Sequence, residues 1–331
     1  MEDIDRVDGK YGLLPDNIKE KLKSYEYLYF REDKPVPFKE LFVYPVSVRD
    51  FEIFSSCSNI FSLNKNETAE GIKMSNLDYL IFKMKSSDKD EGKIFSYKVD
   101  KIFELIFHIK NGIKCSSCGE IVPYDGEIFK QYLVNYAKFV EKSKEKNSVD
   151  TESIPKLVCP KCGKEHFTGM IKIVPDPDNN KKECIQVGDT IINKNDFNLL
   201  RQLVLFQNFP DYFDDSWVDP EIKKDHDEKI RIEQQKNDVH ASIEKKVICL
   251  SISTNYKPDE IYNMSIRRFT MALSAVDDLI NYKIMKQSVS SGFVSLPKGK
   301  TIEHWIYKPN KDLYGDSYKD TDDIKQSVAN T

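Results

Sequence analysis

The chain has 331 residues, with 50 Lys plus Arg against 54 Asp plus Glu, a formal charge of −4. That balance excludes a protein whose main task is to coat a polyphosphate surface, which calls for a basic excess. With 17 Tyr and 19 Phe the chain has large apolar side chains for more than one core, enough for two or three modules.

Residues 1–40 are charged, hold the tyrosines Tyr25, Tyr27 and Tyr29, and lead through Pro35 and Pro37 to the first ordered signal. Leu41 to Val48 is β-branched and aromatic, but Pro45 has no N–H for a ladder, so the segment predicts an edge strand or a strand with a break. Asp50 is placed to cap a helix over Phe51 to Cys57, and Ser75 a helix over Asn76 to Met84 with Leu77, Leu80, Ile81 and Met84 on one face. Phe95, Val99, Ile102, Phe103 and Ile106 recur at helix spacing, with 85–93 as a solvated loop before them and Gly112 as the stop.

From 113 to 185 the pattern changes to two cysteine pairs flanked by short strand signals. Between them Gly126 opens a helix with the apolar stripe Ile128, Phe129, Tyr132, Leu133, Tyr136 and Val140. Gly169 to Val174 reads as a strand, 175–180 as a turn, and Ile185 to Ile192 as a hairpin centred on Gly188-Asp189. Asn195 is then read as capping a helix to Gln207 with Phe197, Leu200, Leu203 and Val204 inward. A nearly all-charged helix over 220–236 starts at Asp219-Pro220-Glu221, followed by helices over 240–254 and from Pro258 to Met264. Ser265 caps the last, whose stripe Ile266, Phe269, Leu273, Val276, Ile280 and Ile284 points inward. Met271, Leu279 and Met285 lie off that stripe and form a candidate second edge.

Cys115-Ser116-Ser117-Cys118-Gly119 and Cys159-Pro160-Lys161-Cys162-Gly163 carry the chemistry. In each, the two-residue spacer lets both sulfurs face one ion and the glycine lets the chain turn back. Together they supply four thiolates, the donor set of a closed structural zinc site, one ion per chain. The helix between the pairs explains why their separation exceeds the common spacing. His166 is a weaker substitute ligand, and Cys57, Cys184 and Cys249 read as core thiols. A closed site has no open position for catalysis, and no Gly-rich phosphate loop, HExxH or GxSxG accompanies it, so the chain reads as non-enzymatic. Asp211, Asp214, Asp215 and Asp219 form an acidic cluster without ligand spacing. Lys110, Lys114, Lys156, Lys161, Lys164 and Lys172 surround the cysteines, but 111–192 contains no arginine, which makes nucleic-acid readout the lesser alternative. No run reaches the roughly 18 apolar residues of a membrane span. The acidic start Met1-Glu2-Asp3 lacks the order of a secretory signal, so no membrane association is expected.

The segments Asp214 to Glu221, Ser242 to Lys245, Tyr262 to Phe269, Tyr282-Lys283-Ile284, Ser291 to Val294 and His304-Trp305, together with Leu41 to Phe54, resemble tail and baseplate morphogenesis proteins of large contractile-tailed bacteriophages. The resemblance implies a structural or assembly protein that works through contacts with other tail or baseplate proteins. It would be made in the host cytoplasm during assembly, with the virion as a further location. No catalytic residue follows from it.

The expected fold is α+β: a mixed α/β region over 1–110, a four-cysteine zinc ribbon with an inserted helix over 111–192, a helical bundle over 193–308 and a polar tail over 309–331. The runner-up function is a zinc-ribbon protein associated with nucleic acid.

Overall fold

The structure is a computed structural model. It describes residues 11, 14–63, 65, 71–86, 88–109, 112–124, 126–146, 155–165, 167–177, 179–214 and 241–292, with scattered positions in 222–232 and 295–306. In chain order the elements are α1 (Asp16–Leu28), β1 (Val36–Phe38), β2 (Leu41–Val43), α2 (Phe51–Cys57), α3 (Asn76–Met84), α4 (Lys89–Phe107), β3 (Gly112–Cys115), β4 (Ile121–Pro123), α5 (Glu127–Lys146) and β5 (Phe167–Gly169). There follow β6 (Ile171–Asp176), β7 (Asn179–Val187), β8 (Thr190–Ile192), α6 (Lys194–Asn208), α7 (Ile243–Ser253), α8 (Pro258–Tyr262) and α9 (Ile266–Ser290). The fold is α+β, helices with three small antiparallel sheets, and its described residues divide into two compact units.

One unit comprises the described residues of Lys34–Val46 and Glu52–Val204. Strands β1 and β2 pair around a reversal at Lys39, which takes the left-handed conformation (φ 53°). The ladder stops after Val43, where the Tyr44 N–H turns to the Ile106 carbonyl at 2.7 Å and Pro45 has no N–H to offer. This is the expected break. Ser75 caps α3 as its spacing predicts, accepting from the Asp78 N–H at 3.1 Å. Helix α4 starts inside the segment read as a loop, because the Asp88 carboxylate accepts from the Asp90 N–H at 3.0 Å and caps it. Its stop is His108 in the left-handed region (φ 51°), with the imidazole stacked on Tyr44 at 3.9 Å, and not Gly112. The core gathers Phe54, Phe61, Leu77, Tyr79, Leu80, Phe103 and Phe197, all fully buried. Strands β6, β7 and β8 form one sheet in that order. Val187 and Thr190 flank Gly188-Asp189 as the sequence predicts, while Asp176 already pairs with Asn179, so the first turn is tighter than the six residues expected. Asn193, two residues before Asn195, caps α6 by accepting from the Asn195 and Asp196 N–H groups, each at 3.0 Å.

The other unit comprises the described residues of Met1–Asp33, Ser47–Phe51 and Leu205–Thr331. Helix α1 occupies a segment that shows no regular pattern in sequence, since Leu22 is its sole fully buried residue and Tyr25 is only half-buried. Asp50 does not cap α2: it closes a short 3-10 turn, Val48–Asp50, and its carboxylate accepts from the Ser47 hydroxyl at 2.7 Å. Val48, Val247, Leu250, Ile261, Met264 and Phe269 form the core between α7, α8 and α9, with Ile243, Leu273 and Val276 packed on it. Ser242 and Ser265 cap α7 and α9 by accepting from Lys245 and Arg268 N–H groups. Arg267 is buried. It donates to the Phe206 carbonyl and to Glu26 of α1, both at 3.0 Å, and the Tyr11 hydroxyl donates to the other Glu26 oxygen at 2.8 Å. Arg268 and the Ser265 hydroxyl hold the two oxygens of Asp33 in the same way.

Among the described residues no helix is long and apolar enough to cross a membrane. The all-charged helix read over 220–236 lies largely outside the described residues.

Candidate metal centre

Strand β3 sits between β4 and β5 and carries Cys115 at its end, paired with Phe167. The chain then makes a knuckle and returns as β4. Within it the Cys115 N–H donates to the Glu120 carbonyl at 2.8 Å and the Gly119 N–H to the Cys115 carbonyl at 2.9 Å. The second knuckle repeats the first: Cys159 N–H to Lys164 carbonyl and Gly163 N–H to Cys159 carbonyl, both at 2.9 Å. Gly119 (φ 76°) and Gly163 (φ 71°) are left-handed, the conformation L side chains resist, so both glycines are required by the turn.

Gly112 is required by space. A Cβ there would lie 2.3 Å from the Val122 carbonyl oxygen and 2.9 Å from Pro123 Cα, both backbone. Gly112→Ala is expected to force β3 and β4 apart and lower stability by about 2–3 kcal/mol, the upper range of overpacking. Gly163→Ala, with nothing within 4 Å of its Cβ, should lose only about 1–2 kcal/mol to the left-handed backbone. Thermal melts of the two variants compare the effects.

The knuckles bring the four predicted sulfurs together. Cys115 Sγ lies 3.6 Å from Cys162 Sγ, Cys118 Sγ lies 3.5 Å from Cys159 Sγ, and all four lie within 4.8 Å of one another. Four sulfurs about 2.3 Å from a central ion at tetrahedral angles stand about 3.8 Å apart, so this cluster has the dimensions of a metal cage. No disulfide joins them, and all seven cysteines of the chain are free. The Ser117 amide, helped by that of Cys118, pulls the Cys115 thiol down to about 6 against its burial. At Cys118 the Glu120 amide favours the thiolate, but burial and the sulfurs of Cys159, Cys162 and Cys115 outweigh it and push the thiol up to about 12. The two thiols of the first knuckle are thus pushed in opposite directions. A divalent cation removes that conflict by neutralising the thiolates directly.

Cys57 and Cys184 are buried as read, and burial followed by the nearby Asp176 pushes the Cys184 thiol up to about 11. Cys249 departs from the expectation. It is exposed, because α7 turns Val247 and Leu250 inward and leaves Ile248 and Cys249 on its outer side. His166 and Lys110 lie outside the described residues. Three of the lysines around the cluster face carboxylates: Lys114 with Asp189 at 3.3 Å, Lys156 with Glu165 at 3.2 Å and Lys161 with Glu120 at 3.7 Å. Of the acidic cluster, Asp211 is exposed and Asp214 buried, while Asp215 and Asp219 lie outside the described residues.

Helix α5 stands between the knuckles in the chain. Phe129 packs edge-on to Tyr124 at 4.9 Å and toward Tyr132 at 6.0 Å, but Ile128 and Leu133 of its stripe are exposed. The stripe of α9 divides likewise. Ile266 and Phe269 are buried and Leu273 and Val276 half-buried, as read, whereas Ile280 and Ile284 are 45% and 55% exposed. The expectation that they point into a core is corrected: the stripe runs on past the reach of α7 and α8. Of the off-stripe residues Met271 and Met285 are exposed and Leu279 is half-buried. On the other side of α9, the His304 ring packs on Tyr282 at 5.2 Å.

A family model described as the YomV second domain matches residues 233–310. It belongs to a phage-derived family and takes in α7, α8 and α9, under a quarter of the chain. No match was found among curated proteins or among solved structures. The match falls within the C-terminal part of the chain that resembles phage proteins in sequence, and it bears on phage origin without bearing on a tail or baseplate role.

Proposed function

We propose that the chain is a non-enzymatic structural or assembly protein of a phage tail or baseplate, acting through protein contacts in the host cytoplasm and stabilised by one structural zinc on Cys115, Cys118, Cys159 and Cys162. The observation that carries the contact reading is the α9 stripe. A helix that is apolar on one side for about five turns, and covered on that side for only the first three or so, suits a subunit completed by a neighbour. It lies within the span that matches a phage-derived domain. Zinc is the favoured ion because four thiolates in a closed tetrahedral set suit it and leave no catalytic position. Nucleic-acid binding is disfavoured by the carboxylates that face the lysines around the cluster.

The test is capture of tail and baseplate proteins from phage-producing cells by the tagged chain, compared with the variant Met271→Glu/Ile280→Glu/Ile284→Glu. Capture should be lost while the melting temperature stays within a degree or two, since exposed positions contribute little to stability. Leu273→Glu, which places a charge against the core, should instead melt early. Undiminished capture by the triple variant would remove α9 from the interface. Sequence-specific, salt-resistant nucleic-acid binding would overturn the assembly reading itself.

A further inference from the structure

The cysteine cluster has an asymmetry that a purely inert staple does not need. Cys115 and Cys159 are buried, Cys118 is half-buried and Cys162 is exposed. Two sulfur contacts, Cys115 with Cys162 at 3.6 Å and Cys118 with Cys159 at 3.5 Å, each couple one buried cysteine to one that solvent reaches, and each runs from one knuckle to the other. A soluble oxidant therefore meets first Cys162, whose sulfur lies 3.6 Å from that of the buried Cys115 on the opposite knuckle.

Resting on the metal reading above, we propose that this cluster is a peroxide-sensitive clasp, in which oxidation closes the disulfides Cys115–Cys162 and Cys118–Cys159 and expels the metal. The Cys162 thiolate attacks one oxygen of hydrogen peroxide, the O–O bond breaks, and sulfenic acid forms as hydroxide leaves. The Cys115 thiolate then attacks the Cys162 sulfur and displaces a second hydroxide. Each disulfide thus consumes two thiolates and one peroxide and releases two hydroxides, with sulfur oxidised by two electrons and peroxide reduced by two. Cys118 and Cys159 follow the same course. With no thiolate left the cation has no ligands and departs. Because both disulfides cross between knuckles, the connection the metal made is retained in covalent form. Only about 1.5 Å of closure separates the present sulfur distances from the roughly 2.05 Å of a disulfide.

The experiment uses the full chain carrying Cys249→Ser, which removes the exposed bystander thiol. Metal content is measured by elemental analysis first, then the protein is titrated with hydrogen peroxide while a chromophoric zinc indicator reads release and mass spectrometry maps the disulfides. The expected result is release of about one zinc per chain after about two equivalents of peroxide, with the cross-knuckle pairs as the dominant disulfides and release reversed by thiol reductant plus zinc. Metal retained at peroxide levels that oxidise Cys249 in the unmodified chain overturns the proposal, as do disulfides within the knuckles, Cys115–Cys118 and Cys159–Cys162. Protein purified anaerobically with no metal, and with all four thiols open to alkylation, refutes the metal reading at the first step and the clasp with it.

Discussion

Alkylation of the native, reduced protein should proceed in three steps. Cys249 alone, exposed and outside the cluster, reacts at once; a strong chelator then opens Cys115, Cys118, Cys159 and Cys162; denaturant finally opens Cys57 and Cys184, both buried. The exposed Cys162 is the informative position. Its sulfur reacts in the first step if the cluster lacks an ion and in the second if an ion holds it. The accompanying loss of stability should be large, because structural zinc in small domains carries apparent binding free energies of about 10–16 kcal/mol that fold back into the protein. Cys115→Ser, which replaces a fully buried ligand, should lower metal content and melting temperature together. A melting temperature unchanged by both chelator and substitution would mean that the hydrogen bonds of the knuckles suffice without an ion.

Loss of the buried guanidinium at position 267 is expected to be nearly as damaging. Arg267→Met keeps much of the aliphatic volume but removes the cation 3.0 Å from the half-buried Glu26 carboxylate and the donor to the Phe206 carbonyl. Breaking one side of such a pair costs about 3–5 kcal/mol, chiefly because the remaining charge loses its counter-ion. At about 2–4 °C per kcal/mol for a domain of some 200 residues, the melting temperature should drop by roughly 6–20 °C. Adding Glu26→Gln should return part of the loss, since the side chain at 26 is then neutral and still accepts from the Tyr11 hydroxyl. If the double variant melts lower than Arg267→Met alone, then Glu26 has partners that matter more than Arg267.

The cysteine pairs were legible in sequence because their spacing is a chemical requirement that holds in any surroundings, and the structure brings their four sulfurs within 4.8 Å. Caps such as Ser75 and Ser265, and stripes such as Val99, Ile102, Phe103 and Ile106, are local in the same sense. What periodicity cannot reveal is whether anything covers a stripe. Ile280 and Ile284 continue the register of Phe269 and Leu273 and yet face solvent, and Ile128 and Leu133 of α5 do likewise. Helix α1 escaped because its inward face relies on one leucine and a half-buried tyrosine, and its anchor, Arg267 to Glu26, lies more than 200 residues away in sequence. His108 as a helix stop was equally hidden. Its left-handed backbone comes with a ring stack on Tyr44, a partner just past β2 and far back in the chain.

The position of α5 bears on how this chain can change over time. The residues between β4 and Cys159, Tyr124 to Val158, leave from the end of a strand paired with β3 and come back to the second knuckle, so both ends of the excursion are anchored. For an excursion held at its base, doubling the length adds only about 0.6 kcal/mol of closure entropy. Residues can therefore be gained or lost along the excursion while β3, β4 and the knuckle hydrogen bonds stay as they are. The anchored root makes this stretch a place where related chains are free to diverge in surface and reach, each growing its own projection from an unchanged base.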